Sequence, residues 1–400
     1  MARRDNNRVL IYSHDTFGLG HLRRCRTIAH ALVDQHKDMS VLILSGSPII
    51  GSFDFKSRVD FVRVPGVIKL RNGQYTSLSL HIDIEETLAM RASIIRHTAE
   101  MFDPDLFIVD KEPLGLRGEV KDTLAMLKGR GTPLVLGLRD VMDEPEALIP
   151  EWERKNVMPA LEDLYDDIWV YGLPEIHDPL EGLEVPAAVR AKLRFTGYLR
   201  RTAPSAPLPL SERPEGPYIL VTPGGGGDGE ALVDWVLRAH EADRSLPWGA
   251  MIVTGPFMAR ERVAEYTARA NALPNVELTT FETHLEAMME GAAAVVAMGG
   301  YNTFCEILSF DKPALIVPRI VPRREQYIRA ERAQELGLVR MLVDDGIRST
   351  PHMAEALRRL AEQPPPSRHI VPGLLDGLAN VDRLAMALIA GEVERVAASA

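Results

Sequence analysis

The stretch from Val295 to Tyr327, VVAMGGYNTFCEILSFDKPALIVPRIVPRREQY, limits what this chain can fold into more than any other. An apolar run at 294–298 is too short for a helix and reads as a buried strand. It breaks at Gly299-Gly300, and a helix carrying Glu306 follows. A second apolar strand at 313–318 leads through a loop into a helix opening at Glu325-Gln326. Strand, glycine turn and helix start together form an anion site, because backbone N–H groups and the helix dipole converge on the turn. Glu306, at most about two helical turns along, is within reach of whatever is attached to that anion. A carboxylate there repels phosphate but accepts hydrogen bonds from sugar hydroxyls. That combination suits a nucleotide-sugar better than a bare phosphate.

The same strand–turn–helix unit recurs along the chain. Strands are expected at 8–13, 41–46, 60–65, 106–110, 133–140, 167–172 and 193–199, with helices at 22–33, 81–101 and 118–128. The segment 201–217 carries five prolines and little apolar periodicity, and reads as a semi-rigid linker. Beyond it the pattern restarts with YILVTPGGGGDGE at 218–230. Strands at 249–256 and 276–281 follow, and the 295–327 stretch leads on to a strand at 340–343 and helices at 352–362 and 374–392. Such alternation predicts an α/β chain with parallel sheets covered on both faces and ligands outside the carboxyl ends of the strands. The expected division is 1–200, linker 201–217, 218–372, and a terminal helical segment at 373–400. The segment 174–186 is too rich in Pro, Gly and acidic residues to be regular. The segment 67–80 has no clear period, and reads either as a mobile acceptor loop or as an ordinary connection.

Three glycine turns carry candidate chemistry. After the first strand, HDTFGLGH (14–21) invites a dinucleotide reading, but the third glycine position is Arg23 and the second strand ends in Ser45-Gly46 rather than an acid. Asp38 sits at the wrong end of that strand, so NAD is disfavoured. His21 is the sharper residue. An imidazole of near-neutral pKa at this turn can take up a proton as a general base; the plainer alternative is that it caps the helix or bonds a loop carbonyl. His14-Asp15 is a second candidate for the same role. Asp110 and Asp140 fall at strand ends, where either can orient His21. Gly224, Gly225, Gly226 and Gly227 let the backbone fold into a concave nest of N–H groups around a phosphate. A Walker loop is excluded, because no Gly-Lys-Ser/Thr follows.

Composition narrows the partners. The 400 residues, 46 % of them hydrophobic, supply two ordinary domains, and a formal net charge of −10 argues against a general nucleic-acid binder. Cys25 and Cys305 are the only cysteines, which leaves no disulfide framework or Cys-based zinc site and fits a reducing cytoplasm. No signal core follows the first arginines and no apolar run reaches membrane-spanning length, so the expectation is a cytoplasmic protein, at most peripheral on the inner membrane face. Arg23, Arg24 and Arg26 crowd one helix start, either as a solvated face or as a patch for an anionic acceptor or phospholipid head groups.

Gly299-Gly300, Glu306 and Glu325-Gln326-Tyr327 resemble the donor-binding half of GT-B glycosyltransferases, most closely the peptidoglycan N-acetylglucosaminyltransferases that form lipid II. That family usually has Gln-Gln where this chain has Glu325-Gln326. The resemblance implies two Rossmann-like domains facing across a cleft and a UDP-sugar donor. It implies a diphosphate loop at Gly224–Gly227 and a loop at 281–285, including Phe281, along the base. Gly18-x-Gly20-His21 is similar to the Gly-His of related families, where the His faces the acceptor hydroxyl; Asp110 as its partner follows the plant and antibiotic UDP-glycosyltransferases. The implied donor set is Gly18, Gly20, Gly224, Gly225, Gly226, Gly227, Phe281, Gly299, Gly300, Asn302, Thr303, Glu306, Glu325 and Gln326. The catalytic pair is His21 and Asp110. A terminal helix that crosses back to the first domain is also common in such proteins.

The function this implies is transfer of an N-acetylhexosamine from a UDP-sugar to a hydroxyl acceptor (a glycan, lipid-linked sugar or small molecule). Inversion is expected, since a base on the acceptor side implies single displacement. No cofactor and no metal are expected, since no convincing Asp-x-Asp metal motif is present. The rivals are a nucleotide-sugar hydrolase or 2-epimerase of the same fold, and a non-catalytic nucleotide-sugar-binding protein.

Overall fold

The computed structural model describes residues 6–14, 20–70, 74–203, 216–225, 227–280 and 285–391. The chain divides into two compact units. One comprises Met1–Pro174, Asp178–Leu199 and Asp376–Ala400; the other comprises Glu175–His177 and Arg200–Leu375. The terminal segment therefore belongs with the first unit.

In the first unit the chain runs β1 (Asn7–Ser13), α1 (Gly20–Gln35), β2 (Met39–Ser45), β3 (Val59–Arg63), β4 (Val67–Lys69), β5 (Tyr75–Ser77), α2 (Ile84–Phe102) and β6 (Leu106–Asp110). It continues through α3 (Lys121–Gly129), β7 (Leu134–Arg139), α4 (Pro145–Arg154), α5 (Val157–Asp163), β8 (Asp167–Tyr171), α6 (Ala187–Arg190) and β9 (Leu193–Phe195). Seven strands form one parallel sheet in the order β3-β2-β1-β6-β7-β8-β9. β6, β7 and β8 are apolar almost throughout because helices cover both faces, so every side chain lands in a core. The direction of strand addition reverses between β1 and β6, whose registers pair Ile11 with Ile108 and Tyr12 with Val109. In open parallel sheets such a reversal, at the carboxyl ends of the strands, is the usual place for a ligand.

The second unit repeats the plan with β10 (Tyr218–Thr222), α7 (Glu230–Ala242), β11 (Gly249–Val253), α8 (Arg260–Asn271), β12 (Val276–Thr279), α9 (Leu285–Gly291) and β13 (Ala294–Ala297). It is completed by α10 (Tyr301–Ser309), β14 (Ala314–Ile316), α11 (Glu325–Glu335), β15 (Arg340–Met341) and α12 (Thr350–Leu360). Its six parallel strands lie in the order β12-β11-β10-β13-β14-β15, so the reversal falls between β10 and β13. α13 (Gly377–Ala390) returns to the first unit, where Asp382 meets His36, just past α1, at 2.7 Å and the Asn380 amide donates to the Thr196 carbonyl.

Several expected boundaries shift for local reasons. α2 starts at Ile84 because the Asp83 carboxylate accepts from the Glu85 N–H at 2.7 Å, an N-cap that sets the first turn. The stretch 67–80, with no visible period, contains a short antiparallel hairpin, β4 with β5. Strands of three residues are too short to show alternation. The strand expected at 193–199 forms only over Leu193–Phe195; beyond it the Gly377 N–H donates to the Tyr198 carbonyl. Most of the proline-rich segment, 204–215, lies outside the described residues. No helix among the described residues is long and apolar enough to cross a membrane.

One buried group gives the second unit a pH dependence. His240 on α7 is 2 % exposed, and its Nε2 has no hydrogen-bond partner among the described residues. Burial lowers its pKa from 6.5 to about 4 despite the pull of Asp243. The folded form thus binds a proton less readily than the unfolded chain. The contribution of His240 is complete above pH 6.5 and is lost as pH falls towards 4, by about 3 kcal/mol. Measured unfolding free energies should therefore differ less between pH 7 and pH 4 in His240→Leu than in the wild type. Parallel pH curves for the two proteins would remove the assignment.

Candidate active site

In the first unit the site is built on the strand reversal. β1 ends at Ser13, and α1 opens with Gly20 and His21; Asp15 and Gly18 lie outside the described residues. Asp110 is the last residue of the neighbouring β6, so strand pairing brings it beside the start of α1. His21 Nδ1 and Asp110 Oδ2 are 2.5 Å apart. Asp140, the other candidate, is fully buried and accepts from the Tyr198 hydroxyl at 2.7 Å.

Arg24, one turn after His21, completes the cluster. Its Nε donates to Asp110 Oδ1 at 2.8 Å and its Nη2 to Oδ2 at 2.7 Å. For Arg24 this corrects both expectations, a solvated face and a surface patch at the start of α1. Arg24 is only 2 % exposed, because the buried Asp110 carboxylate draws the guanidinium inward. Arg26 instead donates to the Asp54 carbonyl and stacks over the Phe53 ring.

The charge states follow. Burial alone would raise the Asp110 pKa, but Arg24 and His21 outweigh it and hold the carboxyl well below the usual carboxylate range. An ionised carboxylate only accepts, so the proton of a neutral His21 sits on Nδ1 and the lone pair on Nε2. Burial lowers the His21 pKa below 6.5; Asp110 pulls it up, and Arg24 and Lys111 push it down. The His21 side chain keeps 19 % exposure against 2 % for Asp110, so the ring is reachable while its partner is sealed. His14 is packed edge-on against His21 at 5.7 Å between ring centroids, and burial drives its pKa down to about 3, leaving it neutral. Behind them, Arg91 pairs with Glu119 at 2.6 Å and the Tyr12 hydroxyl donates to Glu119 at 2.5 Å, pinning the end of β1.

In the second unit, the turns after β10 and β13 flank the reversal. Gly224, with φ +89°, opens the first turn, followed by Gly225 and Gly227; Gly226 lies outside the described residues, as does Phe281. Gly299, with φ +78°, opens the second, and a Cβ there would lie 2.7 Å from Ile316 Cγ2. Gly300 is the N-cap of α10, so first-turn N–H groups face the turn. Arg329 of α11, almost wholly buried, donates to the Gly299 carbonyl at 3.0 Å and places a cation under it. Thr303 is buried and Glu306 fully so, one helical turn apart on one side of α10. Asn302 Oδ1 accepts from Arg201 at 2.8 Å, so that oxygen is engaged within the unit.

Arg319, just past β14, ties these turns together. It donates to Asp228 of the glycine turn at 2.8 Å and to Glu325 Oε1 at 2.5 Å. Its backbone N–H holds Gln326 Oε1 at 2.9 Å, which presents the Gln326 amino group as a donor. Glu325 Oε2 is buried with no hydrogen-bond partner among the described residues. Sequence reading missed Arg319 and Arg329, and saw Arg24 only as part of a solvated face or surface patch. For Arg319 the available signal was a cation directly after a strand end, in PRIVPRREQ.

An anion cradle of glycine turns beside buried carboxylates can hold a diphosphate and the hydroxyls of an attached sugar; a neutral imidazole on an ionised carboxylate can take up a proton. Residues 219–367 match the glycosyltransferase family 28 C-terminal domain. Solved structures of similar fold include the glycotransferase of kitacinnamycin, with TM-score 0.66 and 17 % identity over 98 % of this chain and 100 % of that one. The glycosyltransferase VinC in complex with DTDP gives 0.59 and 19 %, over 95 % of this chain and 96 % of that one. UGT2 of Phytolacca americana, complexed with UDP-2fluoro-glucose and pterostilbene, gives 0.61 and 13 %, over 97 % and 96 %. No curated protein matches this sequence. The fold is that of GT-B glycosyltransferases, two Rossmann-like domains. The second unit carries a family 28 C-terminal domain, and the chain is a glycosyltransferase.

Proposed function

We propose that the protein transfers an N-acetylhexosamine from a UDP-sugar to a hydroxyl acceptor with inversion, His21 serving as the base and Asp110 as its partner. The observation that carries this is the 2.5 Å contact of His21 with Asp110 at the strand reversal, in a chain that also bears a family 28 domain. The acceptor oxygen attacks the anomeric carbon from the face opposite the diphosphate. Its proton passes to His21 Nε2 as the carbon–oxygen bond to phosphate breaks, and the electron pair leaves with the nucleotide. The N–H groups of the glycine turns and of the first turn of α10 stabilise the charge that develops there. Glu306 holds the ribose, and Glu325 and Gln326 the sugar. A pyrimidine diphosphate is supported by the neighbours, one solved with DTDP and one with a UDP-sugar. The lipid II-type likeness favours N-acetylglucosamine, and a membrane-face acceptor remains part of the proposal.

The test is calorimetric titration with UDP, UDP-N-acetylglucosamine, dTDP and NAD. UDP compounds should bind, and Glu306→Ala should weaken them by roughly 1–3 kcal/mol, the cost of a lost buried polar contact. If NAD alone binds, or no nucleotide does, the donor assignment fails. Release of UDP without acceptor would mark a hydrolase, and conversion of the sugar at C2 an epimerase. A measured function untouched by His21→Ala would mark a binding protein.

A further inference from the structure

Arg24 has no role in the transfer just described, yet it is the group most tightly bound to the His21–Asp110 pair. Both Asp110 oxygens accept from its guanidinium, at 2.8 and 2.7 Å, and Oδ2 also accepts from His21. Such a fork fixes the plane of a carboxylate, which a single ammonium cannot do. The same Nη2 lies 3.1 Å from His21 Nδ1. In the tautomer that Asp110 imposes, Nδ1 already carries a proton, so Nη2 cannot donate to it. What the ring feels from Arg24 is the positive charge.

We propose that Arg24 is a positioning residue for the transfer: it locks the Asp110 carboxylate that orients His21, and it sets a fixed positive charge beside the imidazole so that the ring waits neutral and able to accept a proton. This rests on the proposed role of His21 as the base. Among the described residues, the charged and titratable groups that face the ring are Asp110 and Lys111 from the end of β6, Arg24 from α1, and His14 from the end of β1. His14 is itself held neutral, and Lys111 lies 3.5 Å from Glu112, which partly offsets its charge. Asp110 favours the imidazolium, and Arg24, paired with the same carboxylate, cancels much of that pull. A bare aspartate would leave a more basic ring, already protonated at a pH where this one is free.

The experiment is an NMR titration of His21 in the full-length chain with isotope-labelled histidine, its signal assigned by loss in His21→Gln. The acidic limb of kcat/KM for transfer from UDP-N-acetylglucosamine is recorded alongside. In Arg24→Met both the titration and the limb should move to higher pH by about one pH unit or more. Arg24→Lys keeps the charge but not the fork, so it should lower kcat while shifting the titration much less. Should Arg24→Met not fold, Arg24→Gln, which can still donate to one Asp110 oxygen, serves the same comparison. A variant that loses activity while its His21 titration stays in place makes Arg24 merely structural and overturns the proposal. If the titration moves as expected but His21→Gln remains fully active, the charge effect of Arg24 stands and it is the base assignment that fails.

Discussion

His21→Ala should lower kcat/KM for sugar transfer by roughly 10²- to 10⁴-fold, the range over which a positioned general base acts. Nucleotide binding should survive, because Gly224, Gly299, Gly300, Glu306 and Gln326 all belong to the second unit. The pH profile carries a second signature. A base must be unprotonated, so the wild-type rate rises as pH increases through the His21 pKa. Burial places that pKa below 6.5, so the plateau should already be reached at neutral pH. Asp110→Asn should be about as damaging for activity by a different route. An asparagine can turn its amino group towards Nδ1 and impose the opposite tautomer, which puts the ring proton on Nε2. It would also leave the Arg24 guanidinium buried against a neutral partner, at a cost of about 3–5 kcal/mol in stability. The two variants therefore separate: His21→Ala is inactive and stable, Asp110→Asn inactive and less stable. Transfer by His21→Ala at more than about a tenth of the wild-type rate would sink the base assignment.

The fold class was readable in the sequence because parallel strands buried on both faces must be apolar throughout. LFIVD, DIWVY and AVVA announce themselves as β6, β8 and β13 without any alternation to decode. The glycine turns were readable for a related reason, since few residues other than glycine tolerate the positive φ of positions 224 and 299. α4 and α5 were not readable. Pro145, Pro150 and Pro159 make 145–163 look like a loop, although Pro145 opens α4 in the first turn, where its missing N–H costs nothing. Least legible were the arginines of the two sites, Arg24 and Arg329 buried and Arg319 half-buried. By composition an arginine is a surface residue, and each of these is drawn inward by a partner far along the chain. Arg24 and Asp110 are 86 residues apart, Arg319 and Asp228 91, Arg329 and Gly299 30. Only the folded topology brings those partners together. The carboxylates were visible as site candidates, while their pairing with these cations was not.

Gly255→Ala should disable the donor site from outside it. Gly255 follows β11 with φ +87°, and a Cβ there would lie 2.3 Å from the Gly224 carbonyl oxygen and 3.5 Å from Gly225 Cα. Every one of those atoms is backbone, so no side chain can rotate away and the glycine turn itself has to move. The strained φ and the overlap together should cost roughly 2–5 kcal/mol, divided between fold stability and the displaced turn. Gly300→Ala makes the informative contrast. Its φ is −57° and nothing lies within 4 Å of the added Cβ, so the empty protein should melt as the wild type does. A diphosphate resting on the start of α10 needs that space, because glycine at such turns lets the backbone approach the phosphates. UDP affinity should therefore fall in both variants, with a lower melting temperature only in Gly255→Ala. If Gly300→Ala binds UDP as tightly as the wild type, the diphosphate does not sit at the Gly299-Gly300 turn. If Gly255→Ala does so as well, the glycine turn at 224–227 is not the cradle either, and the nucleotide binds elsewhere on the second unit.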